Sequence, residues 1–179
     1  MKYGESYDIR GGGQFSGRLT APLCFAGALA LQLLEQRGIT VAGHISAIAG
    51  VEDEATDFAR VERSALLALS EKPFPVFSDS AGEAMHQAVE AARWEADSVG
   101  GVIRCFALGF PAGIGEPMFD GVENRLAAAL FGIPAVRGVS FGDGSAAAGM
   151  RGSQHNDPFV TDGKAVYTRT NHAGGVLGG

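Results

Sequence analysis

From Ala21 to Leu34 the chain reads Ala-Pro-Leu-Cys-Phe-Ala-Gly-Ala-Leu-Ala-Leu-Gln-Leu-Leu, with no charge between Arg18 and Glu35. Thr20 is placed to cap a helix that continues to Arg37, and Gly38 is placed to stop it. A helix apolar on nearly every face is one that is buried on several sides, not laid on a surface with one side to water. The apolar stretch from Ala21 to Leu31 falls short of the roughly 18 residues that a membrane helix needs, so no membrane span is expected. Met1-Lys2-Tyr3-Gly4-Glu5-Ser6-Tyr7-Asp8 has no apolar h-region, so no signal peptide is expected and a cytoplasmic location follows by default.

The rest of the chain has the material to enclose such a helix, since 46% of its 179 residues are hydrophobic and 19% charged. Glycine is the outlier: 27 residues without a collagen period must serve turns, tight packing or close backbone approach to a ligand. Twenty acidic against 14 basic residues give a formal charge of −6, which excludes the basic footprint of a nucleic-acid-binding module. Cys24 and Cys105 stand far apart inside apolar runs, without metal-ligand spacing, and read as small buried hydrophobes in a reducing compartment.

Helices and strands alternate without an internal repeat, which predicts an α/β or α+β layered arrangement in a single domain over residues 1–179. Ile39, Val41, Gly43, Ile45 and Ala47 alternate with Thr40, Ala42, His44 and Ser46, the pattern of a strand with one face to a core. Residues 52–78 are more polar, with a short amphipathic helix around Phe58 to Leu69 and the breaker-rich Lys72-Pro73-Phe74-Pro75, and are expected to form a peripheral excursion. Ser80 with Glu83 has capping-box spacing at the start of a second core helix, followed by a buried strand over Val102 to Leu108. Asp120 with Glu123 opens a third helix that Gly132 and Pro134 end; Ala135 to Phe141 and Ala165 to Thr170 are expected as strands.

Chemistry concentrates in Arg10-Gly11-Gly12-Gly13-Gln14-Phe15-Ser16-Gly17-Arg18-Leu19-Thr20, just ahead of the apolar helix. Glycine-freed N–H groups at a helix start converge readily on an anion, and Arg10 and Arg18 add guanidinium forks suited to phosphate. A P-loop is excluded, because Arg18-Leu19 stand where Lys and a magnesium-binding hydroxyl are required. The residues leave a second reading open, in which the glycines only make a tight turn and the arginines pair with surface acids. His44 and His86 read as packed or surface residues. His155, Asp157 and His172 would form a metal site only if folding gathered them, and no metal is expected.

Five blocks in order, the Arg10 to Ala21 segment, Gly115 to Asp120, Ile133 to Gly138, Arg151 to Gln154 and Asn171 to Gly179, resemble chorismate synthase. The resemblance implies a flavin-dependent carbon–oxygen lyase of the shikimate pathway and aromatic amino-acid biosynthesis. Such an enzyme converts 5-enolpyruvylshikimate 3-phosphate to chorismate by anti-1,4-elimination of phosphate, with reduced FMN as cofactor and an association with NADP. It implies an α+β fold, a layered sandwich with helices packed between mostly antiparallel sheets, of which this chain is an incomplete part, and assembly as a homotetramer. It also implies that the chain is the central part of a longer enzyme, and that by itself it is inactive or acts only as a flavin-, phosphate-binding or assembly segment. The family's Gly-x-Ser-His-Gly and Gly-His-Ala-Asp segments, whose histidines donate protons, do not occur in these residues, so no catalytic residue is assigned. By the same resemblance Gln14, Phe15, Ser16, Pro134, Ala135 and Gly178 contact the flavin, and Arg10, Ser16 and Arg18 contact the substrate. Gln14 and Phe15 depart from the family's commoner Arg-Ser-Ser pattern.

Overall fold

Thr40–Ile48 forms the nine-residue strand β1 that the alternation predicts, and the chain then reverses through Ala49 and Gly50 into β2, Val51–Glu52. Both turn residues have positive φ, 52° and 79°, as a two-residue hairpin that matches the strands' twist demands. The computed structural model describes residues 2–6, 8, 10–54 and 56–178. Within it the chain divides into two compact units. One comprises Leu34–Pro111 and Asp157–Asn171, the other Met1–Leu33, Ala112–Asn156 and His172–Gly179.

In the first of these units, β1 is the middle strand of an antiparallel sheet ordered β2-β1-β3, with β3 at Gly101–Leu108. The β1–β3 register runs from Thr40 opposite Leu108 to Ile48 opposite Gly101, interrupted by a bulge between Ile45 and Ala47. Helices α2, Arg63–Ser70, and α3, Asp79–Trp94, both contact this sheet. A second antiparallel pair, β4 (Phe159–Thr161) and β5 (Val166–Thr168), completes the unit. Helices with antiparallel sheets make this an α+β fold.

Burial decides which face of β1 is inside. Thr40, Ala42 and His44 are the most buried, and Ala42 packs against Leu66 and Leu69 of α2 with Phe77 and Phe106 around them. The more apolar face, Val41, Gly43 and Ile45, is left half-buried. Residues 52–78, expected at the periphery, therefore carry Leu66, Leu69 and Val76 into the core of their unit, each side chain worth about 1.5–3 kcal/mol on burial. Helix α3 is capped by Ser78, whose Oγ accepts from the Ala81 N–H at 3.4 Å, and not by Ser80. Ser80 is already inside the first turn.

The Asp53 carboxylate ties this unit together. It accepts from the backbone N–H groups of Phe77 at 2.7 Å, Ser78 at 2.9 Å and Glu54 at 2.8 Å, and from His44 Nδ1 at 3.1 Å. The His44 ring lies edge-on to Phe77 and stacks on Phe106, with both His44 and Asp53 side chains almost wholly buried. Because the carboxylate can only accept, His44 carries its proton on Nδ1, and its buried Nε2 has no partner among the described residues. Burial lowers the His44 pKa, and Asp53 offsets only part of that. Burial alone would raise Asp53, but the N–H groups of Ser78, Phe77 and Glu54 hold its carboxyl below the usual range.

Both shifts make the unfolded chain bind protons before the folded one, so acid destabilises. Lowering the pH from 7 to 5 is expected to reduce the denaturant midpoint as unfolded histidine, with a pKa of about 6.5, takes up a proton that buried His44 refuses. A second loss follows below about pH 4 as Asp53 is protonated. His44→Gln should flatten the limb between pH 7 and 5, and an unchanged slope in that variant would remove His44 from the account.

Helix α1, Thr20–Glu35, belongs to the other unit as far as Leu33, and here the expected burial is corrected: none of its residues is buried, and Leu23, Phe25, Leu29 and Leu33 are all more than half exposed. The reason is that among the described residues of its own unit no helix or strand packs over it, so apolarity all round has no matching neighbours. Cys24 on α1 and Cys105 on β3 are likewise free thiols in exposed residues, not buried ones. Gly17–Glu35 runs on as one 19-residue helical stretch of hydropathy 1.3, long and apolar enough by composition to cross a membrane. The count that ended at Leu31 omitted Leu33, Leu34 and the turn ahead of Thr20.

Helix α4, Val122–Leu130, follows a short 3-10 turn at Met118–Asp120 and has no side-chain cap, so Asp120 does not open it. Residues 135–141 form no strand: Ala135 has φ +70°, outside extended backbone, and the segment pairs with no strand among the described residues. The one-turn helix α5, Gly152–His155, completes this unit.

Candidate functional site

The sequence around Arg10 folds as consecutive 3-10 turns, Arg10–Phe15 and Gly17–Leu19, leading into α1. Gly11, Gly12 and Gly13 take φ values of +62°, +84° and +50°, a left-handed path that only glycine follows without strain. Ser16 caps the second turn, its Oγ accepting from the Arg18 N–H at 3.2 Å, while Thr20 donates to the Gly17 carbonyl at 2.7 Å instead of capping α1.

This turn brings Arg18 back over the glycines. A Cβ on Gly11 would lie 3.0 Å from Arg18 Nη1, and one on Gly12 would lie 3.3 Å from the Ser16 Cβ. Glycine is what lets the guanidinium and the serine approach the turn. Arg18 makes no ion pair among the described residues, so its fork is available to a ligand. Arg10 differs: Asp8 holds its guanidinium through two oxygens, Nε and Nη2 each at 3.0 Å. The pair is fully exposed, and hydrogen bonding to Arg10 holds the Asp8 carboxyl below its ordinary range. A guanidinium, a hydroxyl and a glycine turn are the donor set that a phosphate group requires.

The other expected contacts lie in the same compact unit. Gln14 and Phe15 are exposed, Phe15 tilted 5.8 Å from the Tyr3 ring. Pro134 and the left-handed Ala135 sit in turns after α4, not at a strand start, and Gly178 takes φ +94° in the terminal glycine segment. No hydrogen bond or ion pair among the described residues joins Ser16 or Arg18 to Pro134, Ala135 or Gly178. His155 and His172 rings lie 5.9 Å apart, but no group of three metal-ligating side chains gathers among the described residues.

One pairing escaped the sequence reading. His172 Nδ1 donates to the Asp143 carboxylate, and the Asp143 N–H donates to the His172 carbonyl at 2.8 Å. Phe141 and Ala173, beside the two partners, line a cleft of about 360 Å³ together with Glu123, Asn124, Ala127 and Val176. That volume is within the range of small-molecule sites, about 300–1,000 Å³. Nothing local marks residues 29 apart as partners; Gly-Asp-Gly and Asn-His-Ala-Gly-Gly were the only flags.

A family model described as chorismate synthase matches residues 1–179. The chain belongs to the chorismate synthase family. It is 44% identical to the chorismate synthase of Lancefieldella parvula over 99% of this chain and 50% of that protein. With the chorismate synthases of Korarchaeum cryptofilum and Thermococcus gammatolerans it shares 46% and 48% identity, in each case over 100% of this chain and 48% of the relative. A crystal structure of chorismate synthase superposes with a TM-score of 0.82 at 27% identity, covering 91% of this chain and 51% of the other. The chain thus spans about half the length of the chorismate synthases it matches, and its α+β architecture is a part of the chorismate synthase fold.

Proposed function

We propose that the polypeptide carrying this chain converts 5-enolpyruvylshikimate 3-phosphate to chorismate and phosphate, with reduced FMN as cofactor. The observation that supports it most directly is the Arg18 guanidinium, unpaired among the described residues and folded onto the Gly11–Gly13 turn beside Ser16, in a chain that matches this family over residues 1–179. Reduced flavin, when bound, supplies the electron-rich partner that lets the elimination run without net redox change.

The residues present have separable tasks. Arg18 offers a planar fork to substrate phosphate or carboxylate and stabilises charge that grows on phosphate oxygen as the carbon–oxygen bond breaks. Ser16 adds a hydroxyl to the same anion and to the flavin. Arg10 joins the substrate by leaving Asp8, an exchange that an exposed ion pair permits because water already screens it. Gln14, Phe15, Pro134, Ala135 and Gly178 are the flavin contacts, with backbone approach at the turns replacing the side chains that Gln14 and Phe15 no longer match. A homotetramer in the cytoplasm goes with this reading, and the exposed apolar faces of α1 are surface of the kind that assembly covers.

The test is an anaerobic assay of the complete polypeptide with reduced FMN and the enolpyruvyl phosphate, following chorismate and phosphate together. Equal amounts of both are expected. Phosphate without chorismate, or no product from protein that binds both ligands, would overturn the assignment. The 179-residue chain assayed alone is expected to be silent, because each missing proton-donating histidine is worth about 10²- to 10⁴-fold.

A further inference from the structure

Asp143 stands directly before the 3-10 turn Gly144–Gly149, where an aspartate would ordinarily cap, yet its side chain makes no capping bond. The carboxylate is turned instead to His172, and the backbone of the same two residues is bonded as well. The two segments meet through glycines. Gly142 has φ +56° and a Cβ there would overlap the His172 carbonyl oxygen; Gly174 has φ +71° and a Cβ there would lie 2.5 Å from the Gly142 nitrogen. Both side chains of the pair are about three-quarters shielded from water, which strengthens their bond relative to an exposed pair.

This clamp holds the start of the terminal glycine segment. From His172 the chain passes through Ala173 and Val176, both walls of the cleft against α4, to Gly178. Gly174, Gly175 and Gly178 all have positive φ, so the segment has little conformational preference of its own and takes its position from where it is fastened.

We propose that Asp143 and His172 are positioning residues that fasten residues 173–178 as one wall of the cleft and so set the approach of Gly178 to the flavin. This rests on the proposed function for the identity of the ligand, whereas the clamp itself rests on the geometry alone. The carboxylate fixes the Nδ1–H tautomer and the ring's orientation. The pair touches no reacting atom; its effect passes through the backbone it holds.

The experiment uses the complete polypeptide as wild type, His172→Ala, His172→Asn and Asp143→Asn. Amide hydrogen exchange is measured without flavin, and FMN is then titrated by fluorescence quenching. His172→Ala should accelerate exchange at residues 173–178 by about tenfold or more, leave β1 and β3 unchanged, and raise the FMN Kd by about tenfold, the scale of a lost charge-assisted hydrogen bond. His172→Asn, which can still donate to Asp143, should recover part of both. Unchanged exchange at 173–178, or acceleration spread evenly over the protein, would overturn the clamp. If wild type binds no FMN the flavin assignment falls, and with it the role in flavin approach, while the exchange result still decides the clamp. Faster exchange with an unchanged FMN Kd would show that the segment does not serve the flavin and would overturn the positioning role.

Discussion

Replacing Asp53 by alanine should cost its unit about 3–5 kcal/mol, because several donors lose their acceptor at about 1–3 kcal/mol for each one left buried. The substitution strands the half-buried N–H groups of Phe77 and Ser78 and leaves the buried His44 Nδ1 facing no acceptor, whereas the exposed Glu54 N–H turns to water. Against a typical total of 5–15 kcal/mol, that is enough to populate the unfolded state near body temperature. Asp53→Asn should fall between, since an amide oxygen still accepts from the 77–78 backbone while its NH₂ opposes another donor. Denaturant melts at pH 7 measure both. A loss below about 1 kcal/mol for the alanine variant, the size of one ordinary hydrogen bond, would show that the loop finds other partners.

Arg18→Ala, in the complete polypeptide, should weaken substrate binding by about 1.5–3 kcal/mol, the range for hydrogen bonds to charged groups, which is roughly ten- to 150-fold. FMN affinity should remain nearly unchanged. Arg18→Lys should recover only part, because an ammonium restores the charge without the planar fork. The competing reading, that Arg18 pairs with a structural acid at the helix start, predicts a lower melting temperature with unaltered affinity. The geometry argues against it, as no carboxylate among the described residues pairs with Arg18, so stability should change by less than about 0.5 kcal/mol. Calorimetric titration of the enolpyruvyl phosphate beside thermal melts separates the two, and unchanged affinity would sink the substrate role.

Local patterns were read well where the residues that make an element are also its neighbours. The alternation from Ile39 to Ala47 marked β1, the alanine-rich stripe behind Ser78 marked α3, and the glycine run marked the Gly11–Gly13 turn, because each depends on spacings of one to four residues. Capping moved by two positions from Ser80 to Ser78, since a serine two residues upstream reaches the orphan N–H of Ala81, while Thr20 gave way to a 3-10 turn that Ser16 caps. The strand expected over residues 135–141 failed for a different reason. Its β-branched residues suit extension, but a strand exists only with a partner, and Ala135 turns the backbone away.

What the linear chain settled, then, was the α1, β1, α3, β3 and α4 order, the glycine turn carrying Ser16 and Arg18, and the family through five ordered blocks. Tertiary structure alone decided which face of β1 is buried, because a period of two defines two faces without ranking them. It placed Leu66 and Leu69 of a polar-looking segment in the core, left α1 uncovered, and joined Asp53 to residues 77 and 78 and Asp143 to His172. Each of these depends on contacts between residues far apart in sequence, whose meeting is governed by loop closure and packing and leaves no periodic trace.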